Sequence, residues 1–174
     1  MDFHNLNRMS EKDRYPLPLI LDLLNSPGPA QIYTKIDLKN AYHLVLISEG
    51  DEPKMAFHMW YGSYEWWVMP FGLSNTPVAF QRFINDILGD LLDVCTVGYL
   101  DDILVYLDSL ESHREHVREI LRQLKIAGLY ANLKKCKFHT DTVEYLGFIL
   151  SPVGLSMDPV KVSAIQDWLE PQNV

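Results

Sequence analysis

Two adjacent aspartates, Asp101 and Asp102, interrupt a long run of apolar residues and limit how this part of the chain can fold. Neighbouring side chains in a strand point to opposite faces. A continuous strand would therefore bury one carboxylate without a partner, which is costly. We predict a hairpin instead, with strands at residues 98–100 and 103–106 and both carboxylates at the turn. Aspartate is also common in ordinary turns, so a turn without any chemistry is the alternative interpretation.

Other segments rich in β-branched and aromatic residues are typical of strands. They predict single strands at 32–38 and 42–47, a hairpin over 54–69 with Gly62-Ser63 at its turn, and a last hairpin over 143–158 with its turn at 151–154. Helical spacing of apolar residues predicts helices at 17–26, from 77, from 112 to 128, and from 159. This order of elements indicates an α+β fold, with an antiparallel sheet and helices on one face.

The predicted helix ends rest on capping residues. Thr76 is a candidate N-cap, and Pro77 suits the first helical position. Ser112 and Glu115 have the spacing of a capping box, while Gly128 is placed to end the helix that begins there.

Composition sets limits on the function. The chain has 174 residues, 48% of them hydrophobic, which is enough for one globular core. The sequence has no run of about 18 apolar residues, so it predicts no membrane span. Cys95 and Cys136 are isolated and lack metal-ligand spacing, so we expect buried thiols in a reducing compartment. The net charge of −8 argues by itself against binding a polyanion such as nucleic acid.

A third acid, Asp37, ends the predicted strand at 32–38. If it lies beside Asp101 and Asp102, the three carboxylates repel by roughly 3 kcal/mol per pair at about 5 Å. Such a cluster is tolerable when cations neutralise it. Oxygen-only ligands favour Mg²⁺ or Mn²⁺, and two such ions form the clamp that enzymes use for in-line phosphoryl transfer.

Two further patterns have a plainer interpretation that we prefer. His113 and His116 are three residues apart on a predicted helix, but no third zinc ligand lies nearby, so we expect both to be solvated. The aromatic residues within 60–67 resemble a base-stacking platform, yet we expect them to pack against the protein.

Six segments together resemble the reverse transcriptase domain of gypsy-type LTR retrotransposons and related retroviral polymerases. They are RYPLPLI, YTKIDLKNAYHLV, WWVMPFGLSNTPVAFQRFINDIL, VGYLDDILVY, HREHVREILRQLKIAGLYANLKKCKF and VEYLGFILSPVGLSMDPVKVSAI. They occur in the family's order and at its spacing, over almost the whole chain. The resemblance implies a polymerase palm with partial fingers, and an RNA-directed DNA polymerase activity that uses two Mg²⁺ or Mn²⁺ ions per site.

The resemblance also implies roles for single residues. The catalytic residues would be Asp37, Asp101 and Asp102, and the same three with the carbonyl of Leu38 would hold the metal ions. The nucleotide would contact Leu38, Lys39, Asn40, Ala41, Tyr42, Phe71, Gly72 and Lys135. Template and primer would contact Gly72, Pro77, Tyr99, Leu100, Tyr145, Leu146 and Gly147. Tyr42 would exclude a 2′-hydroxyl, with an ordinary core ring as the alternative. For Lys135 the alternative is a solvated lysine.

Departures from the family pattern limit these expectations. His4, His58 and Trp60 stand where the family often has basic residues. We expect residues 1–155 to form a palm with partial fingers and 156–174 to begin a thumb or connection, with more basic fingers upstream. The expected partners are an RNA or DNA template with primer, deoxynucleoside triphosphates and the rest of a pol polyprotein. No membrane is among them, and we expect an intracellular location, in a cytoplasmic virus-like particle or the nucleus. The rival interpretation is a degenerate or domesticated remnant without catalysis.

Overall fold

The structure is a computed structural model, and it describes residues 2–168. The central sheet has four antiparallel strands in the order β4-β5-β1-β6. These strands are β1 at Ile32–Asp37, β4 at Thr96–Tyr99, β5 at Asp102–Leu107 and β6 at Lys137–Thr140. A two-stranded hairpin consists of β2 at Phe57–Met59 and β3 at Gly62–Tyr64, and a three-stranded sheet of β7 at Val143–Tyr145, β8 at Phe148–Ser151 and β9 at Gly154–Met157.

Five α-helices accompany the sheets in the described part of the chain. They are α1 at His4–Met9, α2 at Ile20–Asn25, α3 at Thr76–Leu88, α4 at Leu110–Ile126 and α5 at Pro159–Gln166. Short 3₁₀ turns occur at Ala41–Leu44, Glu52–Met55 and Gly89–Leu91. No helix among residues 2–168 has the length and apolar character needed to cross a bilayer.

The two faces of the central sheet bury different partners. Ile36 and Ile103 are cross-strand neighbours, and both pack into one cluster with apolar residues of α3 and α4. Tyr33 and Leu104 point to the opposite face and pack with α2, β7 and β8. Alternation of side chains along each strand produces this division. The predicted α+β fold, an antiparallel sheet with helices on one face, is confirmed, since the long helices α3 and α4 cover a single face.

Several predicted strands differ from the observed ones. The segment 42–47 is not a strand: a 3₁₀ turn covers Ala41–Leu44, and only an isolated bridge joins Leu46 to Val68. The aromatic hairpin exists, but its turn lies at residues 60–61, two positions before the predicted Gly62-Ser63. The last predicted hairpin has the correct turn between β8 and β9, but its first arm, predicted as one strand over 143–150, is divided by a turn at residues 146–147 into β7 and β8. Neither α1 nor β6 was predicted.

Two predicted helix starts are also wrong. Asn75 rather than Thr76 is the N-cap of α3, because the Thr76 hydroxyl donates instead to the carbonyl of Pro70. Helix α4 begins at Leu110, so the predicted capping box at 112–115 lies inside the helix. The predicted end of α4 is confirmed, since Gly128 has a φ of +75° just beyond the last helical residue.

His113 is fully buried, so the prediction that it is solvated is wrong. Its Nε2 lies 2.8 Å from the hydroxyl of Thr34, beneath the sheet. Burial, together with the neighbouring His139 and His116, lowers the pKa of His113 from 6.5 to about 4. The imidazole is therefore neutral in the folded protein at pH 7. His113 is therefore part of the buried interior between α4 and the central sheet.

This buried histidine predicts acid sensitivity. Between pH 6.5 and about 4 the unfolded chain binds a proton at His113 that the folded chain does not. The free energy of unfolding should therefore fall as the pH decreases, by about 2 kcal/mol between about pH 7 and pH 5. Denaturant unfolding at several pH values measures this. His113→Gln should make the free energy of unfolding depend less on pH, while His58→Gln, the exposed control, should leave the pH dependence as in wild type. Equal slopes for His113→Gln and wild type would contradict the assignment.

Candidate active site at the end of the central sheet

Three predicted site residues lie in a row across the end of the central sheet. Asp37, the last residue of β1, is the cross-strand partner of Asp102, the first residue of β5. Asp102 in turn pairs with Tyr99, the last residue of β4. Directly opposed residues on antiparallel strands present their side chains to the same face. The structure therefore brings Asp37, Asp102 and Tyr99 together on the face opposite to α3 and α4.

Asp101 lies in the turn between β4 and β5, so the predicted hairpin is confirmed with one difference. Asp101 is at the turn, whereas Asp102 already belongs to β5. The backbone carbonyl of Asp101 accepts a hydrogen bond of 2.9 Å from the N–H of Leu38, which fixes the turn beside the end of β1. Partial burial raises the pKa of Asp101, and repulsion from the Asp102 and Asp37 carboxylates adds to this increase.

Two lysines partly neutralise the carboxylates. The ammonium of Lys35 lies 3.1 Å from Oδ1 of Asp102, and that of Lys135 lies 3.3 Å from Oδ2 of Asp37. Lys35 is largely buried, whereas the Lys135 side chain is 64% exposed. Lys135 thus pairs with the Asp37 carboxylate while most of its side chain lies in solvent.

The donor set fits a hard divalent cation, although it is not preassembled. Among residues 2–168 no three acidic, histidine or cysteine side chains are already arranged around a common point where a metal ion would sit. Oδ1 of Asp102 is buried and accepts no hydrogen bond of normal geometry, despite the nearby Lys35. An oxygen in that position has capacity for a further positive partner. Oxygen ligands of this kind suit Mg²⁺ or Mn²⁺.

Gln81 supports the turn that carries Asp101, and its role was not predicted from the sequence. The side chain is fully buried in α3. Its amide donates to the carbonyl of Gly98 at 2.9 Å, and its carbonyl accepts from the N–H of Leu100 at 2.9 Å. Leu100 has a φ of +54°, a conformation that costs energy for a residue with a side chain. Gln81 therefore holds a strained turn in place.

Replacing Gln81 should disturb this turn. Gln81→Met keeps the side-chain length but leaves the backbone groups of Gly98 and Leu100 without partners, at a cost of about 1–3 kcal/mol each. Thermal or denaturant unfolding measures the loss. Gln123→Met, in α4 and away from the turn, is the matched control and should cost less. Equal destabilisation by both substitutions would show that Gln81 has no special role at the turn.

The segment after Asp37 brings the predicted nucleotide-contacting residues to the site. Asn40 has a φ of +50° and reverses the chain, and Ala41 is buried at the start of the 3₁₀ turn. The ring of Tyr42 stacks on Phe80 of α3, with centroids 4.4 Å apart, and lies 5.3 Å from Phe71. Burial and the nearby Asp101 raise the pKa of Tyr42 to about 12. The ring is thus a neutral, fixed wall next to the carboxylates.

The predicted contact segment at 71–77 lies across from Tyr42. Phe71 is 62% exposed, and Gly72 has a φ of +96°, a conformation that favours glycine. The side chain of Asn7 in α1 donates to the carbonyl of Gly72 at 2.8 Å. Pro77 is in the first turn of α3. Helix α1 therefore holds this segment, a contact for which we found no signal in the sequence.

The remaining predicted site residues lie either directly after Asp37 or at the turn between β7 and β8. Leu38 is buried, and Lys39 is exposed with its N–H donating to the carbonyl of Tyr130. Tyr145 is fully buried, and its hydroxyl makes a long hydrogen bond of 3.5 Å to the carbonyl of Asp102. The turn between β7 and β8 has positive φ values at Leu146 and Gly147. Tyr145 thus connects this turn to Asp102 at the end of the central sheet.

The prediction that the aromatic residues at 60–67 pack against the protein is wrong for most of them. Trp60, Tyr61 and Trp67 are 99%, 93% and 76% exposed. Within the cluster, Tyr64 and Trp66 do contact other rings: both lie against Phe57, and Trp66 also lies against His43. The expected packing is therefore confined to these two rings.

Cys136 also differs from the prediction of a plain buried thiol. It is only partly buried, and its sulfur lies 3.4 Å from the backbone nitrogen of Asp37. The thiol therefore contacts the backbone of Asp37, one of the three aspartates at the end of the sheet.

Comparison with known proteins agrees with this geometry. The family described as reverse transcriptase (RNA-dependent DNA polymerase) matches residues 1–150. The Tf2-3 and Tf2-4 transposon polyproteins of Schizosaccharomyces pombe are each 40% identical to the chain over 173 residues, which is 99% of its length. The chain spans 13% of the length of these relatives.

Solved structures show the same fold. The foamy viral protease-reverse transcriptase in complex with double-stranded DNA superposes with a TM-score of 0.90 and 22% identity, over 98% of this chain and 30% of the other. The same viral protein in complex with an RNA/DNA hybrid gives a TM-score of 0.89 and 22% identity, over 98% and 23%. On the family match and the transposon relatives, the chain belongs to the reverse transcriptase (RNA-dependent DNA polymerase) family.

Proposed function

We propose that the chain is the palm, with part of the fingers, of the reverse transcriptase of a gypsy-type LTR retrotransposon. It would add deoxynucleotides to the 3′-hydroxyl of a primer on an RNA or DNA template. The observation that supports this most is the meeting of Asp37, Asp101 and Asp102 at one end of the central sheet, in a chain of this family. Its partners would be primer–template, deoxynucleoside triphosphates and the rest of a polyprotein, inside the cell.

The residues at the site would have separate tasks. Asp37, Asp101, Asp102 and the carbonyl of Leu38 would hold two Mg²⁺ or Mn²⁺ ions. When bound, such ions make the primer hydroxyl more acidic and neutralise the triphosphate. Lys135, exposed and paired with Asp37, is long enough to exchange that carboxylate for a phosphate oxygen. Tyr42, fixed on Phe80, would contact the sugar.

A catalytically inactive remnant is the second candidate. The pairing of Lys35 with Asp102 and of Lys135 with Asp37 favours it, since both lysines satisfy carboxylates without any metal ion. Two features support the polymerase instead. All three carboxylates are retained at the same end of the sheet, and the ring of Tyr42 is held beside them.

Primer extension distinguishes the two candidates. The 174-residue chain is incubated at low salt with a primed RNA template, deoxynucleotides and Mg²⁺ or Mn²⁺. The polymerase proposal predicts extended primers that disappear when a chelator removes the divalent ions. An inactive remnant predicts no extension in either ion, also after the chain is joined to family-like fingers and thumb segments. That result would contradict our proposal.

A further inference from the structure

Asn85, one helical turn after Gln81 in α3, joins Gln81 to the N-terminal segment of the chain. Its carbonyl oxygen accepts a hydrogen bond of 2.8 Å from the amide of Gln81, and its own amide donates to the hydroxyl of Tyr15 at 2.7 Å. Residues four apart on a helix lie on the same face, whereas Tyr15 is 70 positions away from Asn85 in the sequence. A row of three hydrogen-bonded side chains therefore leads from Tyr15 to the turn that carries Asp101.

The backbone of that turn sets the direction of every hydrogen bond in the row. The N–H of Leu100 can only donate, so Gln81 must present its carbonyl to Leu100. The amide nitrogen of Gln81 then faces the carbonyl of Gly98 and the side chain of Asn85, which must accept. Asn85 has only its amide left for Tyr15, whose hydroxyl oxygen accepts. The row thus has one self-consistent arrangement, in which both amide hydrogens of Gln81 are used.

Arg82 and Asp13 hold Tyr15 against α3. The guanidinium of Arg82 lies over the Tyr15 ring, 4.8 Å from its centroid, and donates to both carboxylate oxygens of Asp13 at 2.7 and 2.8 Å. Oδ1 of Asp13 also accepts from the N–H of Tyr15 at 2.9 Å. The N–H of Asp13 donates to the side chain of Asn75, the N-cap of α3, at 3.2 Å. This part of the N-terminal segment is fixed at several points, and the Tyr15 hydroxyl therefore has a defined position next to Asn85.

We propose that Asn85 is a positioning residue for the candidate active site, acting through Gln81, and that Tyr15 sets the orientation of Asn85. The inference rests on the proposed polymerase function, because it takes Asp101 as a catalytic residue. Gln81 stabilises the positive φ of Leu100, directly before Asp101, and this support depends on the orientation of the Gln81 amide. Without its partner Asn85, that amide can turn about its terminal bond, since such torsions have broad minima.

Amide hydrogen exchange well below the unfolding temperature tests the coupling directly. In Asn85→Leu, a substitution of similar size, the N–H of Leu100 should exchange about tenfold faster than in wild type, because its acceptor Gln81 loses a fixed orientation. The N–H of Val105, a buried residue of β5, is the reference and should exchange as in wild type. Asn85→Asp should restore slow exchange at Leu100, because a carboxylate accepts from Gln81 and the Tyr15 hydroxyl can donate to it.

Primer extension measures the consequence for the reaction. Asn85→Leu should lower the single-turnover rate at saturating deoxynucleotide by about tenfold, the lower end of the loss caused by residues that orient groups around a metal site. In the Gln81→Met chain the same substitution should cause no further loss, because the two residues act in series. Asp86→Asn, at an exposed position of the same helix, is the control and should leave the rate as in wild type.

Tyr15→Phe keeps the ring beneath Arg82 and removes only the hydroxyl, so it tests the outer end of the row even if Asn85→Leu does not fold. The N–H of Leu100 should then exchange faster than in wild type, though less so than in Asn85→Leu. Exchange at Leu100 as slow as in wild type, in either variant, would overturn the inference, and so would an equal increase at Leu100 and Val105. Faster exchange at Leu100 in the variants, without any primer extension by wild type, would support the coupling and contradict the polymerase proposal.

Discussion

Asp101→Asn is expected to lower the rate of primer extension by about a thousandfold or more, which corresponds to roughly 4 kcal/mol of activation free energy. Asparagine keeps the shape of the side chain but removes the negative charge that would hold a divalent ion, and such ions supply several kcal/mol of stabilisation in phosphoryl transfer. Single-turnover extension with saturating deoxynucleotide measures the effect. Asp37→Asn should cause a loss of similar size, because Asp37 ends the neighbouring strand.

The stability of the variant separates a chemical effect from a folding effect. Burial and repulsion from Asp102 and Asp37 raise the pKa of Asp101, so neutralising this residue should leave the folded chain as stable as wild type or more so. Asp93→Asn is the matched control. Asp93 has a φ of +60° that asparagine also tolerates, and it lies before β4, at the other end of that strand. An Asp101→Asn chain with activity within tenfold of wild type would contradict the assignment of the site.

Tyr42→Val should reduce the preference for deoxynucleotides over ribonucleotides by roughly 10- to 200-fold, the range that a small steric difference in a pocket produces. The ring is held against Phe80 and next to Phe71, so it cannot easily turn away from an added hydroxyl group. Single-nucleotide extension with dGTP and with GTP gives the ratio of kcat/KM values.

Tyr42→Phe is the control for this substitution because it keeps the ring and removes only the hydroxyl. It should preserve the discrimination between the two sugars. Thermal unfolding of Tyr42→Val gives the cost of losing the stacked pair with Phe80. If discrimination stays unchanged while the chain loses stability, Tyr42 is a core aromatic residue and does not select the sugar.

The position of the aspartates at the end of the sheet was predictable because it depends on residues that are close to them in the sequence. Two polar residues inside an apolar run require a turn, and the turn fixes where Asp101 must lie. The strand before Asp37 has an equally clear pattern, and antiparallel pairing then sets Asp37 opposite Asp102. For the same reason helices α3 and α4 were identified, although their first residues were not.

Features that depend on distant parts of the chain were not predictable. Gln81 looks like any polar residue of a helix, and only the fold shows that it reaches Gly98 and Leu100. His113 looks solvated because charged residues flank it, yet it points at the sheet and meets Thr34, which is 79 positions away. Conversely, Trp60 looks like a packing residue, but its short hairpin extends away from the core and leaves it exposed.

Helix α3 carries two consecutive, fully buried residues that serve different parts of the site. Phe80 lies under the ring of Tyr42, and Gln81 holds the turn at Leu100. Each residue added to a helix rotates all later positions by about 100°. A single-codon insertion or deletion between Pro77 and Phe80 would therefore turn both contacts away at once. By contrast, the exposed tip of the hairpin at residues 60–61 can change length without reaching either of them. Length variation among related elements should accumulate at that tip and be excluded from the first turn of α3.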